Sequence, residues 1–446
     1  MFSQAQPAGA SIFDPSLVLG AGSDLLERAK NLLRGIVPSP TGPPANRLDC
    51  GIAHASRVSA AMAILCALGM RLGSLETEMI DEGVLQILLS ASLGAILGGY
   101  AAGRTVRLTK RLLRNFVVAS SPKARSVLVT GGAGYVGSTL VPILLNRGYR
   151  VRVLDSLLYG GLPLIGAWAN PAFELAHGDV RDDYAVREAV DGVDSVVHLA
   201  GIVGDLACAR QPETTQAVNF EASLRLLEAS RRAGVSRFVF ASTCSNYGKM
   251  KDPDRLVDET SDLRPVSLYA ETKVAVERAL LDRAKTGQLC ATPLRFATIF
   301  GVSPRMRFDL TVNEFTAELL VTKHLKVFGE QFWRPYVHVR DAARAIEMVL
   351  RAPAEKVGNR VFNVGSTNQN YRKQQLVDLI SKLAPGGVVE YVHRDEDPRD
   401  YKVSFAKIKN ELGFDVTRSV PEGIQEVRQL LMDGIIRDFT DPKYRN

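Results

Sequence analysis

From Ser126 onward, short β-branched apolar runs alternate with longer stretches whose apolar residues recur at helical spacing. The runs SVLVT, YRVRVLD, SVVHLA, RFVFAS and ATPLRF read as strands. The stretch ending at Arg147, the stretch Asn219–Ala233 and the stretch beginning at Tyr269 read as helices. Apolar strands separated by helices predict an α/β fold: a doubly wound parallel sheet covered by helices on both faces. No internal repeat is visible.

The pattern changes near residue 122. Up to about Leu48 the chain is rich in Ala, Gly, Pro and Ser, apart from a helical pattern at Ser23–Arg34 with Ser23 as its cap. Val84–Gly103 is a run of 20 residues without a charge, enough to cross roughly 30 Å of hydrocarbon at about 1.5 Å per residue. With the shorter apolar stretch Val58–Met70 it predicts a helical hairpin over about 55–72 and 84–103, in which Gly94, Gly98, Gly99 and Gly103 permit close helix approach. The connecting segment carries Glu76, Glu78, Asp81 and Glu82 whereas cations follow residue 103, so a membrane hairpin would leave the rest of the chain in the cytosol. The alternative is a soluble cytoplasmic protein whose hairpin packs on the main domain.

Composition narrows this picture. The chain has 446 residues, 46% hydrophobic and 23% charged, which excludes wholesale disorder and gives ample length for a large core. Its net charge of +7 equals the seven cations between Arg104 and Arg125, a window without an acid. The excess is therefore local, which argues against a nucleic-acid surface and, beside an apolar run, points to anionic membrane lipid. The five cysteines are too few and scattered for a disulfide framework, and none has the spacing of a zinc site, so no metal is expected. No apolar core with a small-residue cleavage site precedes the first cation, Arg28, so no secretory signal is expected.

The candidate chemistry begins directly after SVLVT. Gly131-Gly132-Ala133-Gly134-Tyr135-Val136-Gly137 is a glycine-rich turn opening a helix, the arrangement that lets backbone approach a pyrophosphate. Asp155 ends the next strand, 18 residues after Gly137, where a carboxylate bonds ribose hydroxyls. Ser156 and Leu157 follow, with no arginine suited to a 2′-phosphate, which favours NAD over NADP. The structural alternative makes Asp155 a helix cap. Asp179 of HGDVRD is placed to reach an adenine, or is a turn residue.

Tyr269 and Lys273 of SLYAETK lie four residues apart, on one helix face. A phenol with an ordinary pKa near 10 acts as a base at neutrality only where positive charge stabilises its phenolate, which Tyr-x-x-x-Lys supplies. Together the residues resemble the extended short-chain dehydrogenase/reductases, in particular the NAD-dependent nucleotide-sugar epimerase/dehydratase family. The resemblance runs from about Ser126 to Phe414 through TGGAGYVGS, Asp155, GDVRD, HLAG, Asn219, ASTCSNYG, YAETK, PLRFATIFG, RPYVHVRDAARA and FNVGS, all in the family's order. It implies an NAD-binding Rossmann domain at 123–301 and a smaller substrate lobe at 302–446, with 335–365 returning to the core, behind an N-terminal extension at 1–122.

The resemblance further implies that NAD is contacted by Gly131, Gly134, Tyr135, Val136, Gly137, Asp155, Asp179, Val180, Leu199 and Ala200, together with Tyr269 and Lys273. Thr243 would bond the sugar hydroxyl under attack, Tyr269 remove its proton, and Lys273 hold the nicotinamide ribose, with hydride passing from the sugar, usually at C4, to NAD. Asn313, Arg334 and Arg399 would contact the diphosphate of a nucleotide sugar; Arg334 could instead pair with Asp341. Thr298 and Ser404 depart from the family's pattern and leave the sugar and base open. Cys244 is either a packed small residue or a thiol near the nicotinamide, and His338 is assigned no chemistry.

The family's dehydratases carry Asp-Glu after the threonine, where this sequence has Cys244-Ser245. Without that acid/base pair, a UDP-glucose 4-epimerase-like activity through a 4-keto intermediate is expected. The rivals are a keto-sugar reductase using free NAD(P), and a membrane-anchored NAD-binding subunit without turnover. Relatives of this kind often pair as homodimers, which the residues alone do not decide.

Overall fold

In a computed structural model, the structure describes residues 125–249, 252, 255–284, 289–394 and 399–446. The apolar runs at 55–72 and 84–103, and the membrane attachment, lipid contact and cytosolic placement read from them, lie outside the described residues. Among the described residues no helix is long and apolar enough to cross a membrane.

In chain order the strands are β1 (Ser126–Thr130), β2 (Arg150–Asp155), β3 (Phe173–His177), β4 (Ser195–His198), β5 (Arg237–Thr243), β6 (Leu256–Val257) and β7 (Cys290–Phe296). They continue with β8 (Thr298–Phe300), β9 (His324–Phe328), β10 (Trp333–His338), β11 (Phe362–Val364), β12 (Asn370–Arg372), β13 (Val388–Val392) and β14 (Lys402–Val403). Seven form one parallel sheet in the order β11-β7-β5-β4-β1-β2-β3.

Strand β1 shows why the sheet is covered on both faces. Val127 and Val129 join one apolar cluster and Leu128 another, as the two-residue period of a strand requires. The first cluster is filled by Leu140, Val141 and Leu144 of α1 (Gly137–Asn146) and by Ile346 and Val349 of the helix Val339–Arg351. The second takes Val186 of α2 (Asp183–Val190), Leu226 of the helix Ala222–Arg232 and Leu280 of the helix Leu268–Ala284. All of these side chains are essentially solvent-free. Burial of this kind stabilises by about 1.5–3 kcal/mol per large apolar side chain.

The remaining helices used below are α3 (Asp205–Arg210), α4 (Ala222–Arg232), α5 (Leu268–Ala284), α6 (Thr311–Ala317), α7 (Val339–Arg351), α8 (Lys373–Ser381) and α9 (Val420–Met432). The stretch predicted as one helix over Asn219–Ala233 begins with a π-helical turn, Gln216–Glu221, before α4. Within that turn Asn219 bonds both the N–H and the C=O of Ile202, fastening the turn to the loop after β4.

Past β7 the chain builds a second lobe around Phe300, Val312, Leu325, Tyr336, Leu376 and Ile424. Its strands form the small sheets β12-β10-β8 and β13-β9. Of the stretch 335–365, α7 packs on α1 and β11 joins the large sheet, whereas β10 stays with the second lobe. Because β2 and β3 lie on one side of β1 and β4 on the other, the chain changes direction at β1/β4, and the loops after these strands open a crevice at their carboxyl ends.

Candidate active site

That crevice is a cleft of about 1410 Å³, lined on one side by the loops after β1, β2, β4 and β5 and on the other by residues of the second lobe. At its floor Gly131 adopts φ +73°, and a Cβ there would lie 2.7 Å from the backbone N of Ala200. A Cβ on Gly137 would collide with the carbonyl of Gly131. The turn therefore brings backbone N–H groups to the N-terminus of α1 with nothing between them and the cleft, a fit for a dinucleotide pyrophosphate.

Asp155 sits at the end of β2. Its carboxylate accepts from the N–H of Ala133 (2.9 Å) and of Leu157 (2.8 Å), so it braces the glycine turn while lining the cleft. Asp179 lines the cleft too, in a fork with Arg181 whose hydrogen bonds hold its carboxyl below the ordinary range. Gly131, Gly134, Tyr135, Val136, Gly137, Val180, Leu199 and Ala200 complete the wall predicted for the cofactor. The Tyr135 phenol, however, is spent on the fold: it donates to the carbonyl of Gly301 (2.5 Å) and accepts from Asn313.

Thr243 closes β5, and its hydroxyl accepts from the N–H of Ser245 (3.1 Å). Tyr269 and Lys273, one turn apart on α5, face the same part of the cleft. The Lys273 ammonium donates to the carbonyl of Ala241 (2.8 Å) and stands 5.9 Å from the centre of the Tyr269 ring. Burial lowers Lys273 to about 8. Burial also raises the Tyr269 phenol well above its ordinary value, with Cys208 and Asp205 adding to the rise and a hydrogen bond with Thr243 opposing it. Arg307 opposes the rise as well, yet Tyr269 stays a phenol at neutral pH, so its ionisation calls for further positive charge beside it. Beneath them, burial and then Lys273 push His198 down to about 3, so it stays neutral between Thr130 (2.7 Å) and Ser223 (2.8 Å).

At the other end, Arg334 lines the cleft, its guanidinium 5.3 Å from the Tyr401 ring centre and donating to the carbonyl of Trp333. Asp341 is engaged with Arg344, Thr417 and Arg418. Arg399 reaches across to Asp205 at the start of α3 (2.5 Å), and the same carboxylate accepts from Ser267 (2.7 Å). Asn313 departs from the expectation of a diphosphate contact. It is fully buried, its oxygen taking the N–H of Gly301 (2.9 Å) and its amide donating to the carbonyl of Arg307 (2.9 Å), so no polar atom remains for a ligand. His338 caps α7 and bonds Glu426 (2.9 Å). Cys244 points into the core, donating to the carbonyl of Arg295, and burial raises its thiol well above the ordinary value. That places it with the packed small residues.

The sequence reading missed three features. Glu277 of α5 and Arg295 of β7 form a buried ion pair that also receives the Ser242 hydroxyl (2.9 Å) and fixes the strand carrying Thr243. Asp205 is the link between α3 and Arg399. Arg305 lines the cleft from the loop after β8. Only the cations of SPRMRFD gave any signal for the last.

The model of the NAD dependent epimerase/dehydratase family matches residues 127–365. A UDP-glucose 4-epimerase of Corynebacterium glutamicum is 31% identical over 307 residues, 65% of this chain and 90% of that protein. A dTDP-glucose 4,6-dehydratase of Streptomyces griseus is 31% identical over 309 residues, 67% of this chain and 91% of that protein. Among solved structures, the UDP-glucose 4-epimerase of Thermus thermophilus in complex with NAD superposes with a TM-score of 0.59 at 28% identity, covering 68% of this chain and 98% of the other.

Proposed function

Since the chain belongs to the NAD-dependent epimerase/dehydratase family, we propose that it is a nucleotide-sugar epimerase of the UDP-glucose 4-epimerase type. Bound NAD supplies a hydride acceptor that returns what it takes. The observation that carries the reading is the pair after Thr243. Where dehydratases of the family place two carboxylates, this chain has Cys244, turned into the core, and Ser245, whose hydroxyl lies 3.4 Å from that of Tyr401. Neither can protonate a leaving hydroxyl or abstract a carbon-bound proton at neutral pH. Asp205, the carboxylate that acts on Tyr269 from the cleft wall, is held by Arg399 and Ser267.

In this reading Thr243 orients the sugar hydroxyl, Tyr269 takes and later returns its proton, and Lys273 supports the phenolate electrostatically. Arg334 and Arg399 face the diphosphate. The test is product mass. UDP-glucose and dTDP-glucose incubated with the protein should give a stereoisomer of unchanged mass; loss of one water would identify a dehydratase and overturn the reading.

A further inference from the structure

We propose that Arg305 is the anion-binding side chain that clamps the pyrophosphate of NAD from the second lobe. Three independent observations converge on it. First, Arg305 is 4% exposed and lines the cleft, yet among the described residues no carboxylate lies within ion-pair distance of it. Its neighbour Asp309 is taken by Arg307 in a fork (2.6 and 2.9 Å). Two guanidinium groups therefore share the charge of one carboxylate, and a buried guanidinium with no ion pair of its own is disfavoured, so the site favours an anion.

Second, its hydrogen bonding is incomplete. One terminal nitrogen donates to the carbonyl of Arg445 (3.1 Å) and the side-chain oxygen of Asn446 (2.8 Å), while the buried Nε has no partner. Burial and the adjacent Arg307 lower its pKa, with Tyr159 and Asp309 opposing.

Third, its position is that of the linkage between the two halves of a dinucleotide. Its backbone N–H bonds Ser138 in the first turn of α1 (3.3 Å), and the preceding Ser303 bonds the carbonyl of Tyr135 (2.6 Å). Its guanidinium stacks on Tyr159, 3.9 Å from the ring centre and four residues beyond Asp155. Asn446, which it holds, also donates to the carbonyl of Val203 on the loop after β4 (3.3 Å). In this reading Asp155 marks the adenosine side and Tyr269 and Lys273 the nicotinamide side of the same cleft, and Arg305, tied to the first turn of α1, lines it with them. A 2′-phosphate is the less suited anion, because Asp155 would repel it.

The inference rests on the cleft's holding NAD, and the experiment separates the two. Full-length wild type, Arg305→Gln and Arg305→Lys would be stripped of cofactor and titrated calorimetrically with NAD, ADP and NADP, with adenosine measured by competition, and each stripped protein would be melted. Loss of a charge-assisted contact predicts a roughly 10- to 100-fold rise in Kd for both NAD and ADP in Arg305→Gln, a smaller rise in Arg305→Lys and no change for adenosine. Because the variant removes a buried charge that has no ion pair of its own, the stripped Arg305→Gln protein should melt no lower than wild type. Unchanged NAD and ADP affinity, an equal loss for adenosine, a selective loss for NADP, or a lowered melting point without an affinity change would each overturn the proposal. Should Arg305→Gln not fold, Arg305→Lys against wild type across ionic strength decides, since equal ADP affinity at every salt concentration refutes the clamp. A wild type that binds no NAD would instead remove the reading beneath it.

Discussion

Replacing Lys273 with methionine removes the ammonium that stands over the Tyr269 ring and leaves the attraction of Arg307 in place. At 5.9 Å from the ring centre, an ammonium and a phenolate attract by about 3 kcal/mol at an effective dielectric near 20, which is roughly two units of tyrosine pKa. In the NAD-loaded wild type the rate should fall on the acid side as Tyr269 is protonated, and on the alkaline side as Lys273, lowered to about 8 by burial, loses its proton. In Lys273→Met the alkaline limb disappears and the acid limb moves up by roughly two units, so the rate below the wild-type acid limb drops about 100-fold and the rate at pH 7 by about 10- to 100-fold from this effect alone. The assay is the pH profile of sugar interconversion on protein whose NAD content has been matched, because Lys273 is also expected at the nicotinamide ribose. A profile with both limbs unmoved would refute the electrostatic pairing; a uniform loss at every pH would assign Lys273 to positioning instead.

Other positions give further expected outcomes. Gly131→Ala forces a Cβ to 2.7 Å from Ala200 N at φ +73°, and should lower stability by about 1–3 kcal/mol and abolish NAD retention, both seen in a melt with and without NAD. Glu277→Gln leaves the buried Arg295 charge unmatched and should destabilise by about 3–5 kcal/mol in a urea titration, whereas an exposed pair such as Arg231 with Glu228 should be nearly silent. His198 is pushed down from its ordinary 6.5 to about 3, so its contribution to stability is complete above pH 6.5 and disappears as pH falls towards 3. His198→Asn should flatten the stability-against-pH curve in that window, and an unchanged slope would contradict the buried neutral imidazole.

The parts of the fold visible in the sequence are those written in short-range patterns. SVLVT followed by the glycine turn, with Asp155 one strand later, encodes a strand, a tight turn and a helix within about thirty residues, and Tyr269 with Lys273 needs only one helical turn. Features that depend on distant partners were not legible. Arg399 and Asp205 are 194 positions apart, and Arg305 reaches Asn446 across 141. Asn313 differs from its expected role for the same reason: as a polar residue near the start of a helix it looks available to a ligand, but the buried N–H of Gly301 and carbonyl of Arg307 both require a partner, and the amide supplies them. The π-helical turn at Gln216–Glu221 was equally hidden, since it answers to a hydrogen bond made with Ile202.

The central claim, epimerisation with a cofactor that is used and restored, is tested most directly by stoichiometry. The purified full-length protein would be assayed on UDP-, dTDP-, GDP- and CDP-sugars with no cofactor added, its bound nucleotide being released by denaturation and quantified before and after. The account predicts many turnovers to an isomeric nucleotide sugar with the bound NAD undiminished and no reduced cofactor in solution. Bound NAD with no isomer from any sugar, or product formed only in proportion to cofactor consumed, would contradict it.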